Sequence, residues 1–209
     1  VMELTNDGSI STPQIILQKP YHLSYPFIFE HEDKWYMIPE SSDNATIQLY
    51  ECINFPYQWK FKMNLIENIK AVDATLLFKN NKFWIFANVS ELPGISNSEE
   101  LFLFYSDNLF SNNWKSHRTN PVISDIRSSR PAGRIFQQNG KWYRPSQDCS
   151  VAYGYSIFLN EIVELTEDSY KEIKVSDIKP NWAKDIIATH TLSFANGLTV
   201  IDAQVRRRR

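Results

Sequence analysis

Along the chain, short apolar runs alternate with polar turns, and four of these units share one arrangement. An apolar strand is followed by a polar turn of a few residues, then by a strand opening near an aromatic residue or a leucine. The first copy runs Tyr25–Phe29, turn His31-Glu32-Asp33, then Lys34–Ile38. The second runs Asp73–Phe78, turn Lys79-Asn80-Asn81, then Lys82–Phe86. The third is Ala132–Phe136, turn Gln137–Gly140, then Lys141–Tyr143, and the fourth is His190–Phe194, turn Ala195-Asn196-Gly197, then Leu198–Ile201. Runs rich in aromatic and β-branched residues, bounded by Asn, Asp and Gly, predict β-hairpins.

The anchors Trp35, Phe83, Trp142 and Leu198 are spaced 48, 59 and 56 residues apart. Propeller blades recur at roughly 40–50 residues, with loops adding more. Further strand-like segments follow each hairpin: Thr46–Glu51 and Gln58–Met63, then Leu101–Tyr105 and the stretch around Trp114, then Tyr155–Leu159, Ile162–Leu165 and Tyr170–Val175. Four strands per unit, repeated radially, predict an all-β propeller with four-stranded blades. A β-sandwich is the alternative, because regular short strands also read that way. The predicted organisation is one domain: 1–24 a remnant of a preceding blade, 25–70, 71–126 and 127–180 blades, and 181–209 a final hairpin with a basic tail. Three blades, a final hairpin and an N-terminal remnant imply that a blade upstream of residue 25 is missing or incomplete in this chain. No helix is predicted, since Pro13 and Pro20 interrupt 11–19 and residues 66–71 lack a 3.6-residue period. Residues 87–99, with Pro93-Gly94, form the longest loop-like insertion and read as a rim loop.

Composition narrows the chemistry. Aromatics make up 14% of the chain, while only 6 of its 209 residues are glycine. No Gly-rich phosphate cradle of the dinucleotide or P-loop kind is present. The formal charge is −2, and −6 once the terminal Arg206–Arg209 run is set aside, which argues against a nucleic-acid surface. Cys52 and Cys149 lack any C-x-x-C context and read as buried thiols, and His22, His31, His117 and His190 are scattered. Neither a metal site nor a cofactor is expected. No apolar run approaches the ~20 residues of a membrane span. The N-terminal residues lack the pattern of a signal peptide, so a cytoplasmic location is expected. The sequons at Asn44 and Asn88 read as chance.

In a propeller the first strand of each blade lines the central funnel. Ten residues before the anchors stand Tyr25 and Asp73; Arg130 lies twelve before its anchor and His190 eight before. Five residues after three of the anchors stand Glu40, Asn88 and Gln147. The repeat therefore sends polar groups toward one axis twice over, a pattern suited to sugar or polyol recognition. Tyr25, Arg130, Arg144, Gln147, Asp148 and His190 are the candidate ligand-binding residues. Two other readings stand beside this one. A glycoside hydrolase must use the carboxylates Glu40 and Asp73 as its catalytic pair, one as acid and one activating water. A protein-interaction propeller would have its funnel plugged by Trp35, Trp84 and Trp142. At single residues, Asp73 and Arg130 could instead form a channel-lining ion pair, and Tyr153 reads as packing.

Several strings go beyond the generic repeat: His22–Phe27 with Tyr36–Ser41, Leu49-Tyr50-Glu51 leading to Phe55-Pro56 and Trp59, and Val72–Leu76. To these are added Ser129–Arg134, Tyr143–Cys149 and His190-Thr191-Leu192. Over roughly residues 19 to 205 the chain resembles the propeller domain at the N-terminus of plant glucosamine inositolphosphorylceramide transferases. It is also similar to bacterial proteins in which that domain follows a formyltransferase-like domain. The resemblance implies a five-bladed propeller akin to those of glycoside hydrolase family 43. It further implies a sugar, sugar nucleotide or glycan as ligand, and service to a fused or upstream transferase domain in glycan or glycolipid biosynthesis. Such domains usually begin with an Ala-Asp-Pro-Phe-type strand, whose Asp matches the general base of the related hydrolases. That string is absent here, which weighs against hydrolysis by this chain.

Overall fold

The computed structural model describes residues 1–5, 7–90, 96–195 and 197–207. Three antiparallel meanders follow one another along the chain. The first joins β1 (Ser24–His31), β2 (Lys34–Glu40), β3 (Thr46–Asn54) and β4 (Gln58–Glu67) in sequence order. The second joins β5 (Ala71–Lys79), β6 (Lys82–Val89), β7 (Glu100–Ser106) and the short β8 (Lys115–Ser116), with β9 (Ile123–Ser124) also pairing with β7. The third joins β10 (Phe136–Gln138), β11 (Lys141–Asp148), β12 (Ser156–Leu165) and β13 (Tyr170–Ile178). After it come β14 (Ile186–Ala188), the hairpin β15 (Leu192–Ala195) and β16 (Leu198–Ile201), and β17 (Gln204–Val205), which returns to pair with β14. Among the described residues the one helical element is a 3-10 turn at Ser42–Asn44, and no helix is long and apolar enough to cross a membrane.

The hairpins close on left-handed residues. Glu32 and Asp33, Asn80 and Asn81, and Asn139 and Gly140 all have positive φ, the two-residue turn geometry that matches strand twist. Strand alternation then sends successive side chains into different interfaces. On β6, Phe83, Ile85 and Ala87 pack toward the first blade, whereas Trp84 and Phe86 pack toward the third. The middle blade is therefore buried on both faces, which is why its strands read as nearly continuous apolar runs. A smaller cluster of Ala132, Ile157 and Leu192 joins the third blade to the final hairpin. Each fully buried Leu, Ile or Phe in these layers contributes about 1.5–3 kcal/mol. The hydrophobic layers thus lie between successive sheets. That is the radial stacking of a propeller, not the single inter-sheet core of a sandwich.

Three details depart from the sequence reading. The run Ala132–Phe136 is a strand only from Phe136, because Gly133 swings out to bridge Leu192 of the final hairpin. Tyr155–Leu159 and Ile162–Leu165 form one strand, β12, in which register shifts absorb the polar interruption and Asn160 bonds to Arg144 O and Ser146 Oγ. Of the 87–99 insertion, Ala87–Val89 belong to β6 and residues 91–95 lie outside those described, as does Asn196 in the last turn. Both cysteines are free thiols, Cys149 buried and Cys52 partly so.

Gly133 is the tightest point of the fold. Its φ is +133°, and a Cβ there would come 1.9 Å from the carbonyl oxygen of Leu192. Gly133→Ala is expected to lower stability by about 2 kcal/mol or more, through the clash and the strained φ. Urea denaturation measures this; an unchanged midpoint would show that the final hairpin does not seat against the third blade.

Candidate functional site

The site begins with two irregular strands. Registers of β1 and β5 each jump, between Ser24 and Phe27 and between Val72 and Thr75. Within those jumps Tyr25 has φ 40° and Asp73 φ 54°, left-handed values at positions the repeat makes equivalent. An extra residue in a ladder re-aims the side chain beside it, and such bulges gather near functional sites. Aspartate tolerates the left-handed region; tyrosine rarely does. The Tyr25 hydroxyl and Thr75 Oγ1 lie 2.9 Å apart, and Thr75 Oγ1 donates to Asp73 O at 3.1 Å, so the two bulges brace each other.

Asp73 is the hub. Its Oδ2 accepts from Arg130 Nε at 2.6 Å and from Gln147 Nε2 at 3.2 Å, and its backbone N–H donates to Glu40 Oε2 at 3.4 Å. The Asp73 and Arg130 side chains are only 5% and 7% exposed, so the pair is desolvated. Arg130 Nη1 donates to Asn97 Oδ1 at 3.0 Å and, at 3.3 Å, to Asn97 O and Ser98 Oγ. Gln147 Nε2 also reaches Pro131 O at 2.8 Å. Glu40, Asp73, Arg130 and Gln147 thus come together from three blades. Burial, and next the Asp73 carboxylate at hydrogen-bonding range, push the Glu40 carboxyl up to about 7.

An outer wall adjoins this cluster. The half-exposed Tyr153 ring lies over the Arg130 guanidinium, 4.8 Å from its centroid, a cation–π contact. The edge of His190 meets the same ring at 5.5 Å. His190 is oriented by Asp202, which bonds to Nδ1 and also accepts the backbone N–H groups of His190 and Thr191 at 2.9 and 2.7 Å. Burial opposes charge on Asp202, but those backbone bonds, together with the His190 ring, outweigh it and hold the carboxyl below its usual range. Gly154 permits the approach, since a Cβ there would stand 2.5 Å from His190 Cβ.

Two other residues expected at the site, Arg144 and Asp148, are engaged by other partners. Arg144 is turned away: its Nε and Nη2 bind Glu172 at 2.8 and 2.7 Å, its remaining donors reach Ser128 O and Ser129 O, and it is 1% exposed. The reason is strand parity, which sends Arg144 and Gln147, three apart on β11, to opposite faces. Asp148 caps a turn, accepting from Ser150 N and Oγ at 3.0 and 2.6 Å. Trp84 and Trp142 pack between blades and the Trp35 ring lies tilted against Phe55 with centroids 4.8 Å apart, all near the hairpin turns at the other end of the strands from Asp73. Asn97, Ser98 and Asp202 carried no sequence signal. They lie in loops, and only the fold brings them to their partners. Tyr153, read as packing, had one available clue in the adjacent glycine.

The sequence matches the family model described as "Glucosamine inositolphosphorylceramide transferase 1, N-terminal" over residues 4–190. It is 36% identical over 164 residues to glucosamine inositolphosphorylceramide transferase 1 of Oryza sativa subsp. japonica, covering 78% of this chain and 22% of that protein. To the Arabidopsis thaliana protein of the same name it is 32% identical over 163 residues, covering 77% and 21%. The chain therefore spans about a fifth of the length of these relatives. Among solved structures, an α-L-arabinofuranosidase of glycoside hydrolase family 43 from Clostridium thermocellum superposes with a TM-score of 0.60 at 11% identity. That match covers 93% of this chain and 67% of the other, and the likeness is one of fold.

Two outcomes follow from the geometry. Because the Glu40 carboxyl sits near 7 in the folded state and 4.5 is its ordinary value, the native state binds the extra proton between them. Stability contributed by that proton is present below about 4.5 and lost as pH rises toward 7, so Glu40→Gln should flatten the decline seen in denaturation across that window. Arg144→Met should cost about 3–5 kcal/mol by leaving Glu172 buried without its partner, and adding Glu172→Leu should restore most of it. Denaturant titration of the two variants checks this, and equal stability of the single and double variants would refute it.

Proposed function

The chain belongs to the glucosamine inositolphosphorylceramide transferase N-terminal family, and on that premise we propose that its propeller binds a sugar or sugar nucleotide at the Asp73 cluster. In this reading the module serves a glycan- or glycolipid-modifying transferase, presenting or holding a carbohydrate rather than cleaving one. The observation that carries the proposal is the convergence of a carboxylate, a guanidinium and an amide from two blades beside a half-exposed tyrosine ring. Planar polar groups of this kind match pairs of hydroxyls, and an aromatic face suits the apolar side of a sugar ring.

The same geometry disfavours hydrolysis. Cleavage of a glycosidic bond needs two carboxyl groups about 5 Å or about 6.5–9.5 Å apart, with the scissile bond between them. Here Glu40 lies against Asp73, within hydrogen-bonding range, and Asp73 is already engaged by Arg130 and Gln147. A buried carboxylate held by a guanidinium suits orientation better than attack or proton transfer. Glu40, Tyr25 and His190 then serve as flanking contacts. Arg144 and Asp148 support the scaffold.

Isothermal titration with a panel of methyl glycosides and nucleotide sugars, run beside 4-nitrophenyl glycosides as hydrolase substrates, tests the reading. Saturable binding without turnover is expected, weakened about tenfold or more in Asp73→Asn and Arg130→Gln, a loss of roughly 1.4 kcal/mol. Turnover abolished by Asp73→Asn would establish a hydrolase instead. Absence of both binding and turnover would end the carbohydrate reading.

A further inference from the structure

Beside the axial cluster a cavity opens, about 360 Å³ in volume, between the first strand of the first blade and the final hairpin. Its walls include Tyr25, Phe27, Arg134, Thr191, Ser193 and Phe194. The size falls in the range of small-molecule sites, and the lining combines three aromatic rings with one charged group.

That group is Arg134, and its surroundings differ from those of its neighbours in sequence. Arg130 is matched by Asp73 and Arg144 by Glu172. Among the described residues no carboxylate pairs with Arg134. Its Nη2 donates to the backbone carbonyl of Ile28, and its guanidinium lies 5.0 Å from the Phe27 ring centroid. Burial draws its pKa down, yet a guanidinium stays charged at any physiological pH. A partly buried cation without a counter-ion is costly, and an anion entering the cavity would relieve that cost. Of the five N–H donors on the fork one is committed to Ile28, so others remain to take a carboxylate or phosphate in paired hydrogen bonds.

The site is also held rigidly. Gly133 is locked against Leu192, and Arg134 itself is tied across to the first blade, so its position is set before any ligand arrives. Tyr25, Phe27 and Phe194 supply ring surfaces on which an apolar or aromatic body can lie. We propose that this cavity is a second binding site, for an organic anion: a phosphate ester or carboxylate carried on an aromatic or apolar group. The proposal stands apart from sugar binding at Asp73, because it rests on Arg134 and not on the Asp73 cluster, although Tyr25 borders both.

Phenyl phosphate and benzoate, with benzyl alcohol as the uncharged control, are the probes. Titration calorimetry on the chain is expected to show saturable binding of at least one of the two anions and none of the alcohol. Whichever anion binds more tightly identifies the acid class. Arg134→Met should weaken that binding at least tenfold and Arg134→Lys less so. Ser193→Trp, a change at an exposed position on the cavity wall, should block binding without disturbing the fold, which keeps the test decisive if Arg134→Met does not fold. No anion binding to the unmodified chain, equal binding of benzyl alcohol, or full binding by the Ser193→Trp variant would each overturn the proposal.

Discussion

Between the second and third blades a carboxylate and a guanidinium meet out of water, and the polar architecture of the axis is arranged around that pair. Taking Asp73 and Arg130 from solvent is expensive, and their attraction offsets the cost only when the leftover donors and acceptors are also satisfied. Gln147 takes a second bond to Asp73, while Asn97 and Ser98 accept from Arg130. A buried pair of this kind adds little net stability compared with apolar residues of the same size. What it fixes is geometry: Asp73 must keep its left-handed backbone, and the loop carrying Asn97 its place beside Arg130.

The hydrophobic layers make that geometry affordable. Because the middle blade packs on both faces, the inner ends of β5 and β6 cannot shift without disturbing two interfaces at once. The bulges at Tyr25 and Asp73 are therefore held by packing on either side, which is the condition under which strained backbone persists. The third blade and the final hairpin meet at Gly133, where the backbones are too close for any side chain.

Three arginines within fifteen residues have three fates, and the contrast shows how charge is deployed here. Arg144 is an internal tie within one sheet, fastening β11 to Glu172 of β13. Arg130 is a tie between sheets that borders the axial cluster. Arg134 is tied to the first blade only through a carbonyl oxygen, and it lines a cavity. The same side chain is structural, bridging or available depending on whether an acid lies within reach. In the family to which the chain belongs, this region is a small part of a much longer protein, so its surfaces need not all serve a single ligand.

Much of this was legible in the residues themselves. The hairpin repeat, with its aromatic anchors and asparagine-rich turns, determined an all-β chain of meander sheets, because turn chemistry and two-residue alternation act locally. It also aimed Tyr25, Asp73, Arg130 and His190, and with them Glu40, Asn88 and Gln147, at one axis, since equivalent positions in radially repeated sheets converge; of these, Asp73, Arg130, Gln147 and Glu40 meet in one cluster. What the chain alone did not determine was the direction of each side chain once bulges break the alternation, as at Asp73, or once odd spacing reverses it, as between Arg144 and Gln147. Nor did it reveal Tyr153, Asp202, Asn97 or the cavity at Arg134, all of which depend on contacts between segments distant in sequence. Local rules of pleat and turn are written residue by residue, whereas the partner of a buried charge is chosen only when the sheets pack.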